Sequence, residues 1–146
     1  MPGIIFITGA TSGFGAATAR KFAANGYDLI LNGRRKERLD ALAAELENKY
    51  NVAVLTLPFD VRDEAAVNAA IKSLPDNWKA IGIFVNNAGL ALGRDHFHEA
   101  DMTDWVTMID TNVKGFLYTA KAVSQLMVQR KKGHIINMGS IAGKQV

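Results

Sequence analysis

A doubly wound α/β domain with a parallel sheet in the order 3-2-1-4-5 is the fold this sequence predicts, and three observations predict it. Five short apolar or β-branched runs alternate with four stretches of helical periodicity along the 146 residues. The runs are apolar on both faces, as strands of a parallel sheet are when helices cover each side. A glycine-rich octapeptide joins the first run directly to the first helical stretch.

The first strand is expected over Ile4 to Thr8 and the first helix over Phe14 to Ala24, with Gly26 after it as a C-terminal stop. The second strand, Asp28 to Asn32, leads to a helix from Lys36 to Lys49. A third strand, Val52 to Phe59, precedes a helix from Glu64 to Leu74 that Asp63 can cap. The fourth strand, Ile81 to Asn86, leads to a long helix from about Asp104 to Lys131, which Thr103 can cap and Gly133 can close. His134 to Met138 is the fifth strand. Right-handed crossovers reverse the winding between strands one and four, so a ligand belongs at their carboxyl ends.

Hydrophobic residues at 49% and charged residues at 21% are ordinary values for one globular domain, here residues 1–146. The absence of cysteine excludes disulfides and thiolate zinc sites, and His96, His98 and His134 lack metal-ligand spacing, so no metal is expected. The apolar run Ile4-Ile5-Phe6-Ile7 is too short to cross a membrane and does not read as a signal peptide, which implies a cytoplasmic protein. A net charge of +3 with two short basic clusters, Arg34-Arg35-Lys36 and Arg130-Lys131-Lys132, argues against a nucleic-acid partner. The second cluster complements the dipole of the long helix. His96 and His98 read as solvated loop residues, and Trp78 and Trp105 as packing residues.

The turn is Thr8-Gly9-Ala10-Thr11-Ser12-Gly13-Phe14-Gly15. Its glycines let backbone approach a pyrophosphate, the helix N-terminus offers free N–H donors, and Thr11 and Ser12 add hydroxyls. A purely structural strand-to-helix turn is the alternative. At the end of strand two, where an NAD site carries an acid, the chain has Gly33 followed by Arg34 and Arg35. Guanidinium groups suit the 2′-phosphate of NADP(H), and the alternative is a pair of solvated charges opening a helix.

The spacing Gly-x-x-x-Gly-x-Gly, Asn86-Asn87-Ala88-Gly89 after strand four, Asn112 in the long helix and Asn137-Met138-Gly139-Ser140 after strand five together resemble the short-chain dehydrogenase/reductase family. The resemblance covers essentially the whole chain and implies a Rossmann-type fold with NADP(H) as cofactor. It places Gly9, Thr11, Ser12, Gly13, Phe14, Gly15, Arg34, Arg35, Asn87, Ala88 and Gly89 around the cofactor. Asp60 and Val61 would face the adenine through a carboxylate and a backbone N–H, although by itself Asp60 reads equally well as a turn residue. The implied chemistry is hydride transfer between nicotinamide and a hydroxyl or carbonyl carbon. A tyrosine would act as acid and base, helped by a lysine that lowers its pKa. Ser140 would hold the substrate oxygen, and Asn112 a water of the proton relay. Read from the residues alone, Asn112 is an amide inside an apolar stripe of Trp105, Ile109, Val113, Phe116, Ala120, Val123 and Met127, where it needs a partner such as neighbouring backbone.

In the family pattern the tyrosine and lysine follow the serine at a spacing that carries both beyond Val146, and Tyr27, Tyr50 and Tyr118 have no lysine suitably placed after them. The expectation is therefore a C-terminally incomplete domain with an open sheet edge at strand five, inactive by itself. Leu90-Ala91-Leu92-Gly93, the arginine pair and Phe14 resemble the branch of the family acting on 3-hydroxy acids or serine. A 3-oxoacyl carrier-protein reductase or a small-aldehyde reductase shares the same motifs, and a non-catalytic dinucleotide-sensing module is the reading from another class. The resemblance also implies a homo-oligomer, tetramer or dimer, and a small-molecule substrate.

Overall fold

The computed structural model describes residues 3–144. Its sheet has the order β3-β2-β1-β4-β5, with every adjacent pair parallel. The strands are β1 (Ile4–Ile7), β2 (Asp28–Gly33), β3 (Val54–Pro58), β4 (Ile81–Asn86) and β5 (His134–Asn137). The helices α1 (Gly13–Ala23), α2 (Lys36–Tyr50) and α3 (Glu64–Lys72) follow the first three strands. After β4 comes α4 (Met102–Ile109), which runs through a π-helical turn, Asp110–Gly115, into α5 (Phe116–Gln129). The predicted topology is present, and element ends shift by one or two residues, where terminal turns fray.

Alternation along the strands divides the core in two. Ile5 and Ile7 of β1, with Leu29 and Leu31 of β2, pack against Ala16, Ala19 and Ala23 of α1 and Leu39, Leu42 and Leu46 of α2. Phe6, Ile30 and Phe84 point to the other face, against Val67 and Ile71 of α3 and Ala122, Val123 and Met127 of α5. Phe6 and Phe84 stack with ring centroids 5.3 Å apart. The alanines of α1 keep that helix close to the sheet, which fixes where its N-terminus meets the end of β1.

Asp63 caps α3 as expected, its carboxylate accepting from Ala66 N–H. The cap of the long helix is Asp101, whose carboxylate accepts from both the N–H and the hydroxyl of Thr103, so Thr103 is held by the cap and is not itself the cap. Nor does Gly133 supply the left-handed residue that ends α5. Lys131 does, at φ 51°, while Gly133 lies where a side chain would collide with Met127.

The predicted apolar stripe does not run continuously into the core. Ile109 and Val113 are about half exposed and share a solvent-facing band with Met102, Val106 and Leu117, whereas Val123 and Met127 are buried. The wider π turn shifts the angular register between the two segments, so one sequence pattern feeds two surfaces.

Asn32, 1% exposed, interrupts the apolar run of β2. Its Nδ2 donates to the carbonyls of Leu57 and Phe59 at 3.1 and 3.0 Å, latching β2 to the end of β3. Replacing Asn32 with alanine is expected to leave these groups underpaired and lower stability by about 2 kcal/mol. A urea midpoint equal to that of the unsubstituted protein would refute the latch.

Candidate functional site

The carboxyl ends of the strands open onto a cleft of about 860 Å³. It is lined by Gly9, Thr11, Ser12, Gly13 and Phe14 from the first turn, and by Arg34 and Arg35 after β2. Asp60 and Val61 after β3, Asn87, Ala88 and Gly89 after β4, Asn112 of the π turn, and Ser140 after β5 complete the predicted set around it. The fold thus collects onto one surface residues that are as far apart in the chain as Gly9 and Ser140.

Gly15 is the predicted site residue that does not line this cleft. A Cβ at Gly15 would overlap the Gly9 carbonyl oxygen and lie 2.6 Å from Asn87 Nδ2, so the residue sits beneath the turn and lets it close. Gly13 is the opposite case: it adopts φ +54°, and a Cβ there would meet nothing within 4 Å. Its missing side chain leaves open space at the mouth of α1.

Helix α1 begins without a side-chain cap and without an acid in its first turn. The first N–H groups of the helix therefore keep their hydrogen-bonding capacity and their share of the positive end of the helix dipole. Among the described residues, no carboxylate forms an ion pair with Arg34 or Arg35, and both side chains are exposed. Two cations, free helix N–H donors and a glycine-opened backbone are the donor set a phosphorylated dinucleotide requires, so the residues present fit that group.

Asn87 ties the fourth strand to the first turn. Its Nδ2 donates to the carbonyls of Thr8 and Gly9 at 2.9 and 3.2 Å, and its backbone N–H donates to Thr8 Oγ1 at 3.0 Å. Asn86, 2% exposed, faces the other way and donates to the Phe116 carbonyl at 3.0 Å, which anchors α5 to β4.

Asn112 is exposed to the cleft and not buried in the stripe, and its partner is nonetheless backbone. Its Nδ2 donates to the Leu90 carbonyl at 2.7 Å, and its Oδ1 accepts from the Leu90 N–H at 2.9 Å. The amide thus spends one N–H and one acceptor position on holding the segment after Gly89 in place, and keeps a second of each for a further partner. Ser140 accepts from Ala142 N–H at 3.1 Å, opening the short 3-10 turn Ile141–Gly143, and its own hydroxyl proton has no acceptor among the described residues.

Sequence reasoning missed Asn32, Arg62 and Thr111, all of which line the cleft. An amide inside the apolar run of β2 is a usable signal for Asn32. Arg62 gave none, because an arginine in a loop ordinarily reads as solvated. It donates to Asp60 through Nε and Nη2, and that guanidinium holds the Asp60 carboxyl below its usual range. Among the described residues no group of three or more His, Asp or Glu could hold a metal, and no helix is long and apolar enough to cross a membrane.

The family model for short chain dehydrogenases matches residues 3–146. The NADP-dependent 3-hydroxy acid dehydrogenase YdfG of Salmonella typhi is 52% identical over 140 residues, covering 96% of this chain and 55% of that protein. Sulfoacetaldehyde reductase 2 of Chromohalobacter salexigens is 49% identical over 145 residues, covering 99% of this chain and 57% of that protein. Among solved structures, the closed form of a serine dehydrogenase complexed with NADP+ superposes with a TM-score of 0.87 at 50% identity, covering 96% of this chain and 55% of that one. The chain spans about half the length of the curated relatives it matches.

Proposed function

Since the chain belongs to the short-chain dehydrogenase family, we propose that residues 1–146 form the dinucleotide-binding domain of an NADP(H)-dependent oxidoreductase acting on a 3-hydroxy acid or serine. The observation that carries the cofactor is the pairing, on one cleft, of an uncapped α1 N-terminus with an arginine pair where an acid would favour NAD. The names of the relatives support the substrate class, because NADP-dependent 3-hydroxy acid dehydrogenase and serine dehydrogenase recur among them. The sulfoacetaldehyde reductase at 49% identity favours a small-aldehyde reductase as the second reading.

In this proposal Gly9, Thr11, Ser12, Gly13 and Phe14 receive the pyrophosphate, and Arg34 and Arg35 the 2′-phosphate. Asp60 and Val61 take the adenine, and Asn87, Ala88 and Gly89 border the nicotinamide half. The bound nicotinamide would supply a site that gives or accepts hydride. Ser140 donates its hydroxyl proton to the substrate oxygen, and Asn112, anchored on the Leu90 backbone, holds a water of the proton relay. The half-exposed apolar band of Met102, Val106, Ile109, Val113 and Leu117 supports assembly of copies into a dimer or tetramer. The protein is read as cytoplasmic, with a small molecule as its substrate.

The test is the Arg34→Ala, Arg35→Ala double variant. Its NADPH affinity is expected to fall by about 2 kcal/mol, roughly 30-fold, with NADH affinity nearly unchanged, both measured by fluorescence titration. Equal losses for the two cofactors would remove the 2′-phosphate from this site. A chain that continues through the family's tyrosine and lysine is expected to reduce NADP+ with serine or 3-hydroxy acids, residues 1–146 alone to bind cofactor without turnover, and turnover confined to small aldehydes would favour the second reading.

A further inference from the structure

Arg62 belongs to no motif, yet it lines the cleft beside Asp60 and Val61. Its backbone N–H donates to Asp60 Oδ1 at 3.0 Å, its Nε lies 3.0 Å from both carboxylate oxygens, and its Nη2 donates to Oδ2 at 2.6 Å. A carboxylate offers about four acceptor positions, so these three donor groups leave about one open. On the facing π turn, the negative charge of Asp110 also acts on Arg62, and Arg34 adds its positive charge near Asp60. Asp60 is the carboxylate that grips the guanidinium, since Asp110 is itself paired with Lys114 at 2.8 Å, so the Arg62 charge is balanced chiefly by Asp60 before any phosphate arrives.

We infer that Arg62 is a positioning residue for base recognition, clamping Asp60 so that a single acceptor position of its carboxylate is presented to the exocyclic amino group of adenine. The inference rests on the reading that this cleft holds a phosphorylated dinucleotide. An ionised carboxylate only accepts hydrogen bonds, so it attracts an amino group and repels the carbonyl oxygen that hypoxanthine carries at the same ring position. A carboxylate free to rotate would turn away from that carbonyl or meet it through water, and the two bases would be distinguished poorly. Clamped at both oxygens, Asp60 has no such escape, and a surface charge becomes a base-selective contact. Lysine cannot substitute, because its ammonium lacks the planar fork that engages two oxygens at once.

The experiment titrates NADPH, NADH and the reduced hypoxanthine analogue of NADPH into the intact protein by nicotinamide fluorescence. The same titrations are made on Arg62→Ala, Arg62→Lys, Asp60→Asn and the Asp60→Asn, Arg62→Ala pair. The unsubstituted protein is expected to prefer adenine to hypoxanthine by about tenfold or more, and both Arg62 variants to bring that ratio below about threefold. The NADPH to NADH ratio should stay unchanged, and Arg62→Ala should have no further effect on the base ratio once Asp60 is asparagine. A base ratio that survives in Arg62→Ala overturns the inference, as does a fall in the NADPH to NADH ratio, which would make Arg62 a phosphate contact. If the unsubstituted protein binds none of the three dinucleotides, the reading of the cleft fails first and this inference falls with it.

Discussion

Replacing Gly13 with leucine is expected to abolish dinucleotide binding while the protein stays folded. Gly13 holds φ +54° at the start of α1, a region an L side chain enters at a cost of about 1–2 kcal/mol, which a domain of this size absorbs. No atom within 4 Å would be struck by a Cβ, because the side chain projects into the space at the helix mouth. That space is where a pyrophosphate would meet the free N–H groups of α1, so the two compete for one volume. NADPH and NADH affinity should both fall at least about a hundredfold, a loss of about 2.7 kcal/mol or more, with the urea midpoint only slightly lowered. Unchanged affinity in a folded variant would place the phosphates elsewhere.

Gly15→Val, only two positions along, should instead unfold the turn. Its Cβ would overlap the Gly9 carbonyl oxygen and lie 2.9 Å from the Gly9 carbonyl carbon, and neither is a flexible side-chain end that can swing aside. Relief requires pulling α1 away from β4 and breaking the bonds from Asn87 Nδ2 to the Thr8 and Gly9 carbonyls. A loss of about 3 kcal/mol or more is expected, read as a large drop in urea midpoint with the slope retained. A midpoint within experimental error of the unsubstituted protein would show that the turn has room the structure does not display.

The contrast between these two glycines marks how far the sequence could be read. Spacing placed both in the turn at the end of β1, but only the packed structure shows Gly13 facing open space and Gly15 facing the Gly9 carbonyl. The same holds for Asn112. Its position in an apolar stripe required a partner, and the partner proved to be the backbone of Leu90, 22 residues away. Asp101 displaced Thr103 as the helix cap because a carboxylate two residues earlier can accept from both the N–H and the hydroxyl of Thr103. Arg62 was invisible for a different reason: an arginine in a loop is ordinarily solvated, and nothing local distinguishes one that folds back on a carboxylate two residues before it.

The sequence by itself determined the alternation of strands and helices, the sheet order and the positions at which unusual residues would gather. These follow from local rules, since side-chain periodicity, glycine at turns and crossover handedness act over a few residues or one structural unit. Tertiary structure alone decided that the long helix would widen into a π turn at Asp110–Gly115, turn Ile109 and Val113 outward and hold the Leu90 segment. It alone decided that Arg62 would grip Asp60 at the mouth of the cleft. Such features depend on which groups meet through space once the sheet has formed, and pairing of that kind leaves no period in the sequence.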